Sequence, residues 1–305
     1  MNGALAGHIA ELKRGRRAII LAHNYQRPEV QEIADHVGDS LGLAMTASKT
    51  DAEVIVFCGV DFMAESALIL NPGKAVVMPT REAKCPMAAM ITAAGLRRLK
   101  DEHPGVPVVS YVNTSAEVKT ESDWCCTSSN AVKVVNAIPS EKIIFTPDTN
   151  LGLYIQRQVR EKEIILWPGY CPTHQNRITP EDLEELKSQH TSAEVVVHPE
   201  CIPEVIEMAD HVASTEGMIH YCRSSAATDF IIGTEREHTY RLRKEIPGKV
   251  FHAVPGAVCP NMKKTTLALV LKALETLEDR IVLPLEIIEK ARMPLDRMVM
   301  VGRGD

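Results

Sequence analysis

The sequence lacks an excess of positive charge. Its 34 lysines and arginines stand against 40 acidic residues, for a net charge of −6. Proteins that bind nucleic acid or anionic membranes carry a basic face, so neither partner is expected. Long apolar runs are also missing, and nothing approaches the roughly 18 residues a membrane span needs. Met1 to Arg17 shows neither the apolar stretch nor the small-residue cleavage site of a signal peptide. A cytoplasmic setting is the expectation. No C-x-x-C pair occurs among the 8 cysteines; the closest two, Cys125 and Cys126, are adjacent. Structural zinc fingers and ferredoxin-type runs are therefore disfavoured, and a reducing cytosol disfavours a disulfide framework. What remains is an ordinary globular composition. The chain has 305 residues, 45% apolar and 24% charged, enough for two or three domains.

Self-similarity organises the chain. Three apolar runs end in related polar clusters: Ala18 to Ala22 before His23-Asn24-Tyr25, Val108 to Ser110 before Tyr111-Val112-Asn113, and Val195 to Val197 before His198-Pro199-Glu200. The clusters start 88 and 87 residues apart, at positions 23, 111 and 198. A hydroxyl follows each start by 17 residues, at Ser40, Ser128 and Thr215. Second apolar runs lead to Asp61, Asp148 and Glu235, for which nothing beyond turn or cap chemistry is expected. Third runs lead to Cys85-Pro86, Cys171-Pro172 and Cys259-Pro260, at offsets of 62, 60 and 61 from the cluster starts.

Each copy reads as strand, helical stretch, strand, helix, strand, helix. The short Val- and Ile-rich runs suit parallel strands buried on both faces. Pro28 to Val37 reads as helical, and Pro180 to Gln189 as a helix capped by Thr179. The expected fold is α/β: three repeated three-layer αβα units with parallel sheets, in pseudo-threefold arrangement around a central active site. Expected units are residues 1–104 with Cys85, 105–191 with Cys171, and 192–305 with Cys259. Within the last unit, Arg280 to Asp305 extends beyond the third copy, and packing back on the first is one course open to it.

Ligands of parallel sheets bind beyond the carboxyl ends of the strands, where the marked residues lie. Threefold closure would bring Cys85, Cys171 and Cys259 to one point. Three thiolates repel one another unless a metal neutralises them. Both a zinc ion and a four-iron cluster with one open iron suit that donor set. Ser40, Ser128 and Thr215 stand where helix N-caps are expected, and three helix N-termini around one axis would suit an anionic ligand. His23, Tyr25, Tyr111, His198 and Glu200 supply proton-transfer groups, and Asn113 a neutral donor and acceptor. Cys58 and Cys222 read as buried thiols, while Cys125, Cys126 and Cys201 fall near the expected site and can shape it. For Lys263 and Lys264, attracting phosphate and solvating a helix face are both open.

The motifs resemble the quinolinate synthase family of bacterial and archaeal NAD biosynthesis. The resemblance rests on Leu21-Ala-His-Asn-Tyr-Gln26, Val37-Gly-Asp-Ser40, Gly59-Val-Asp-Phe-Met-Ala-Glu65, Lys84-Cys-Pro-Met87 and Tyr111 to Lys119. It continues in Cys126-Thr-Ser-Ser-Asn-Ala131, Gly169-Tyr-Cys-Pro-Thr-His174, His198-Pro-Glu-Cys201 and Val258 to Lys264. It implies a [4Fe–4S] cluster on Cys85, Cys171 and Cys259 with one open iron acting as Lewis acid. It implies condensation of iminosuccinate with dihydroxyacetone phosphate to quinolinate, with loss of phosphate and two waters. It further implies substrate contacts at His23, Ser40, Tyr111, Val112, Asn113, Ser128, His198, Pro199, Glu200 and Thr215. Catalytic roles fall to Tyr25, Glu200, His23 and Tyr111, with Tyr170 and His174 as neighbours of the second cysteine. An aspartate-oxidising enzyme would supply the unstable iminosuccinate, without a tight complex being implied.

Overall fold

The computed structural model describes residues 2–305. Its core is three parallel four-stranded sheets. The first holds β1 (Ala18–His23), β2 (His36–Gly38), β3 (Val54–Cys58) and β4 (Ala75–Val77) in the order β2-β1-β3-β4. The second holds β5 (Val108–Tyr111), β6 (Trp124–Cys126), β7 (Lys142–Thr146) and β8 (Glu163–Leu166), ordered β6-β5-β7-β8. The third holds β9 (Glu194–Val197), β10 (His211–Val212), β11 (Asp229–Gly233) and β12 (Val250–Ala253), ordered β10-β9-β11-β12. The α/β repeat expected from the sequence is thus present three times.

The sequence pattern missed one strand per copy. β2, β6 and β10 are two or three residues long and sit at sheet edges, too short to announce themselves as apolar runs. Each is preceded by an acid that ties it to the central strand. Asp35, Asp123 and Asp210 accept the backbone N–H of Ile20, Val108 and Val195, each at 2.8 Å. The helix expected over Pro28 to Val37 accordingly stops at Ile33, because His36–Gly38 pairs with β1. Pro180–Gln189 forms as expected, with Thr179 and Asp182 exchanging side chain and backbone bonds in a capping box.

The helix after each Pro-flanked cysteine covers the next sheet in the ring. Leu96 of Ala93–Glu102 packs with Val108 and Ile144 of the second sheet. Leu183 of Pro180–Gln189 packs with Val195 and Ile231 of the third. Leu267, Val270 and Leu274 of Leu267–Thr276 pack with Ile20 and Val56 of the first, alongside Ile9 of the helix Asn2–Gly15. Each buried aliphatic side chain contributes about 1.5–3 kcal/mol, so this cyclic exchange binds the three units together. The helix Leu285–Val301 packs on helix Asp61–Leu70 of the first unit and on β6 and helix Ala116–Lys119 of the second. Among the described residues, no helix is long and apolar enough to cross a membrane.

In each sheet the chain leaves the central strand first to one side and then to the other. The crevice at such a switch point, beyond the carboxyl end of the strand, is where ligands settle in parallel sheets. His23 and Tyr111 end β1 and β5, and His198 follows β9 directly.

Candidate active site

One cavity of about 150 Å³ receives side chains from all three units. Cys85, Cys171 and Cys259 line it, as do His23, Tyr25, Ser40, Tyr111, Asn113, Ser128, His198, Glu200 and Thr215. Two of the expected contacts stand apart. Val112 is buried beside the cavity, its N–H donating to Cys126 O at 2.8 Å and its carbonyl accepting from Lys119 Nζ at 2.9 Å. Pro199 lines a separate surface depression with Ser214 and Gly304.

The cysteine loops are held by the acids that recur in register. Asp61 Oδ1 accepts the N–H of Cys85 at 3.1 Å, Asp148 Oδ2 that of Cys171 at 3.0 Å, and Glu235 Oε1 that of Cys259 at 3.3 Å. A return bond completes each clamp. Asp61, Thr149 and Arg236 donate their N–H to the carbonyls of Ala83, Gly169 and Ala257, at 3.0, 2.8 and 2.8 Å. Sequence register marked these acids but supplied no role, because a side chain to backbone bond 23 or 24 residues away leaves no local pattern. Burial pushes all three thiols up; Cys259 and Asp61 add to this at Cys85, and Glu200 at Cys171. Three half-buried thiols that oppose one another's ionisation fit a cationic, thiolate-binding group. Cys171 Sγ also groups with a His174 nitrogen and a Glu200 oxygen, all within 4.8 Å of one another, a further possible metal-holding set.

None of the three hydroxyls is the N-cap expected of it: Ser40 and Thr215 lie one residue after their caps, and Ser128 two residues before its cap. Asp39 caps the helix Ser40–Lys49, accepting from Gly42 N, and Ser214 caps Thr215–Ser224, accepting from Gly217 N. Ser40 and Thr215 are therefore first helical residues, while Ser128 precedes the helix Ala131–Ala137, whose N-cap is Asn130. At Ser40 and Thr215 the reason is physical: the side chain of the cap, Asp39 or Ser214, is consumed by the backbone, whereas the next residue can face the cavity.

The histidines of the first and third units share one geometry. His23 Nδ1 accepts from Tyr25 N at 3.2 Å, and His198 Nδ1 from Glu200 N at 3.3 Å. Burial lowers His23 to about 4 and His198 to about 3, so both rings are neutral near pH 7. With Nδ1 accepting, the proton sits on Nε2, and in His198 it faces Ser128 Oγ at 3.2 Å. Burial and Glu200 push the Tyr25 and Tyr111 phenols well above 10, so both stay protonated. Asn113 Oδ1 is a buried acceptor without a partner inside the cavity.

Glu200 is the charged centre. Burial raises its pKa, but His174, bonded to it at 2.6 Å, and the Tyr111 hydroxyl outweigh burial and hold it below the usual carboxylate range. His174 Nε2 meets Thr234 Oγ1 at 2.9 Å, and Thr234 Oγ1 meets the Tyr25 hydroxyl at 2.6 Å. A hydrogen-bonded line thus runs from Tyr25 through Thr234 and His174 to Glu200. Thr234 was not foreseen; it follows β11 between Gly233 and Glu235, with no motif to mark it. Asp39, Thr127 and Arg177 also line the cavity unforeseen.

Other open readings resolve locally. Lys263 pairs with Glu235 at 2.8 Å and donates to Tyr25 O at 2.5 Å, so it joins two loops. Lys264 Nζ donates to Glu82 O in an exposed bond. Cys58, Cys125, Cys126, Cys201 and Cys222 are buried and none lines the cavity. Tyr170 is exposed, 37% of its surface remaining accessible.

Residues 7–300 match the protein family described as Quinolinate synthetase A protein. The chain belongs to the quinolinate synthase family. It is 54% identical to the quinolinate synthase of Geobacter metallireducens over 296 residues, covering 97% of each chain. It is 53% identical to that of Pelobacter propionicus over 304 residues, 99% of this chain and 100% of the other. It is 54% identical to that of Methanoregula boonei over 296 residues, again 97% of both. Quinolinate synthase activity in NAD biosynthesis is accordingly the enzyme function of this fold.

Proposed function

We propose that the cavity condenses iminosuccinate with dihydroxyacetone phosphate to give quinolinate, inorganic phosphate and two waters. The carrying observation is the convergence of Cys85, Cys171 and Cys259, one from each repeat, on a cavity that also holds Glu200 and the three hydroxyl loops. The three cysteines would hold a [4Fe–4S] cluster, which when bound supplies an open iron as Lewis acid.

The chain's own groups divide the remaining work. Both substrates are anions. The first turns at Ser40 and Thr215 offer hydroxyls and helix N-terminal partial charge to carboxylate or phosphate. His198 Nε2–H occupies a lone pair of Ser128 Oγ, which leaves the serine's own proton free to donate to an anionic oxygen. His23 presents a neutral Nε2–H in the equivalent position of the first unit. Asn113 Oδ1 accepts from a substrate N–H or O–H.

Glu200 is ionised near neutral pH and serves as the base. Tyr25 keeps its proton and serves as an acid. A proton leaving Tyr25 is replaced along the line from Glu200 through His174 and Thr234, so the two groups return to their starting states together. Tyr111 donates to Glu200 and fixes the carboxylate facing the cavity. Small molecules are the partners of this site. Iminosuccinate hydrolyses readily, so an aspartate-oxidising enzyme must supply it, and the expected setting is the cytoplasm.

Glu200→Gln tests the assignment. The amide keeps the size and loses the base, so kcat falls roughly 10²-fold or more, with iron content retained. Turnover equal to the wild type would remove Glu200 from the chemistry.

A further inference from the structure

The last three residues touch every unit. Arg303 binds Asp39 of the first unit through two bonds, Nη1 to Oδ2 at 2.8 Å and Nη2 to Oδ1 at 2.7 Å. Gly304 donates its N–H to Ser129 O of the second unit at 2.8 Å. Asp305 Oδ2 accepts the N–H of Ser214 of the third unit at 3.0 Å. Asp39, Ser129 and Ser214 are the immediate neighbours of Ser40, Ser128 and Thr215. Three consecutive residues extend no further than roughly 10 Å, so the three hydroxyl loops converge on one short strap.

The docking groove is built for it. A Cβ on Gly304 would stand 2.9 Å from the Ser129 carbonyl oxygen, and one on Gly217 would stand 2.5 Å from Asp305 Oδ2. A Cβ on Gly42 would stand 3.0 Å from Arg303 Nη2. A glycine thus clears each of the three contacts. The second unit also grips the strap's backbone. Lys133 Nζ donates to the carbonyls of Val301 and Arg303 at 2.8 and 3.1 Å, and Asn130 Nδ2 to that of Gly302 at 3.0 Å.

Charge gives the strap a task. Asp39 lines the cavity, and its carboxylate is largely buried, with 8% of the side chain accessible. An unneutralised carboxylate there would repel an anionic ligand. We propose that Arg303, Gly304 and Asp305 are positioning residues. They set Ser40, Ser128 and Thr215 around one anionic group of the substrate, and Arg303 cancels the charge of Asp39. The proposal rests on the reading that those hydroxyls receive a substrate phosphate or carboxylate.

The test uses full-length, cluster-loaded protein. Arg303→Ala raises the KM for dihydroxyacetone phosphate or iminosuccinate roughly tenfold, about 1.4 kcal/mol, with kcat and the visible spectrum of the cluster little changed. Gly304→Ala does the same, because its methyl group expels the strap. Arg303→Lys restores only part of the affinity, since a lysine cannot form both bonds. In an Asp39→Asn background Arg303→Ala has little further effect, because the charge it neutralised is gone. Amide hydrogen exchange at Ser214 reads docking without any substrate, and it accelerates in Gly304→Ala. Slow exchange at Ser214 in that variant, or fully additive effects of Asp39→Asn and Arg303→Ala on KM, overturns the strap. Fast exchange with an unchanged KM also overturns it as a positioning element. Wild-type protein that makes no quinolinate would instead strike the reading of the cavity, while the exchange result still decides whether the strap docks.

Discussion

Replacing His23 by asparagine should flatten the acid dependence of stability. His23 is buried with 5% of its surface accessible, and burial lowers it from 6.5 to about 4. The unfolded chain binds a proton on this ring below pH 6.5, whereas the folded chain does not until near pH 4. The stability tied to the neutral ring is therefore complete above pH 6.5 and is lost as pH falls toward the folded value. At pH 5 the size of the loss depends almost wholly on the unfolded value, because the folded one lies lower still. It comes to about 2 kcal/mol for a single ring. Asparagine can keep an acceptor for Tyr25 N–H, which His23 Nδ1 accepts at 3.2 Å, but it does not titrate. Urea unfolding of metal-free protein at pH 8 and pH 5 gives the comparison. Wild type should lose about 2 kcal/mol more than His23→Asn between the two pH values. Buried acids with raised pKa, such as Asp148 and Glu235, act in the opposite direction but are common to both proteins and cancel. Equal losses, or an imidazole titration of His23 near pH 6.5 in the folded protein, would refute the burial argument and the neutral Nε2–H donor with it.

Other consequences can be measured independently. Asp148→Ala leaves the N–H groups of Leu151 and Cys171 without the carboxylate that binds them at 2.7 and 3.0 Å. Each lost partner costs about 1–3 kcal/mol, so the thermal midpoint falls, and differential scanning calorimetry of metal-free protein reads it. Thr234→Val cuts the line between Tyr25 and His174 at bonds of 2.6 and 2.9 Å while keeping the side-chain shape. Steady-state kinetics should show kcat reduced roughly tenfold or more with KM nearly unchanged. A larger change in KM than in kcat would make Thr234 a binding residue instead.

The repeat was legible because the central strands are buried on both faces, which demands runs such as Val195-Val-Val197 and Ile19-Ile-Leu21. Twelve of the residues that line the cavity could be named because a polar cluster, a hydroxyl and a cysteine recur at fixed offsets after those runs. The edge strands were hidden by their length, His211–Val212 being two residues. The offset of one residue at Ser40 and Thr215 arose because Asp39 and Ser214 are equally good caps, and sequence alone does not rank adjacent candidates. Asp61, Asp148 and Glu235 stood out by register, yet their bonds to the cysteine N–H groups exist only once the loops after the third and fourth strands of each sheet are side by side. Arg303 and Asp39 lie 264 residues apart, and no periodicity links them.

Cys85, Cys171 and Cys259 decide whether the cavity holds a cluster. The measurement is iron and acid-labile sulfide per chain on protein purified without oxygen, read beside quinolinate formation. Wild-type protein should hold about four of each. Each single alanine variant of the three cysteines should lose both iron and product, and Cys58→Ala should keep wild-type values. Zinc without sulfide, or full iron in any one of the three variants, would contradict the cluster assignment.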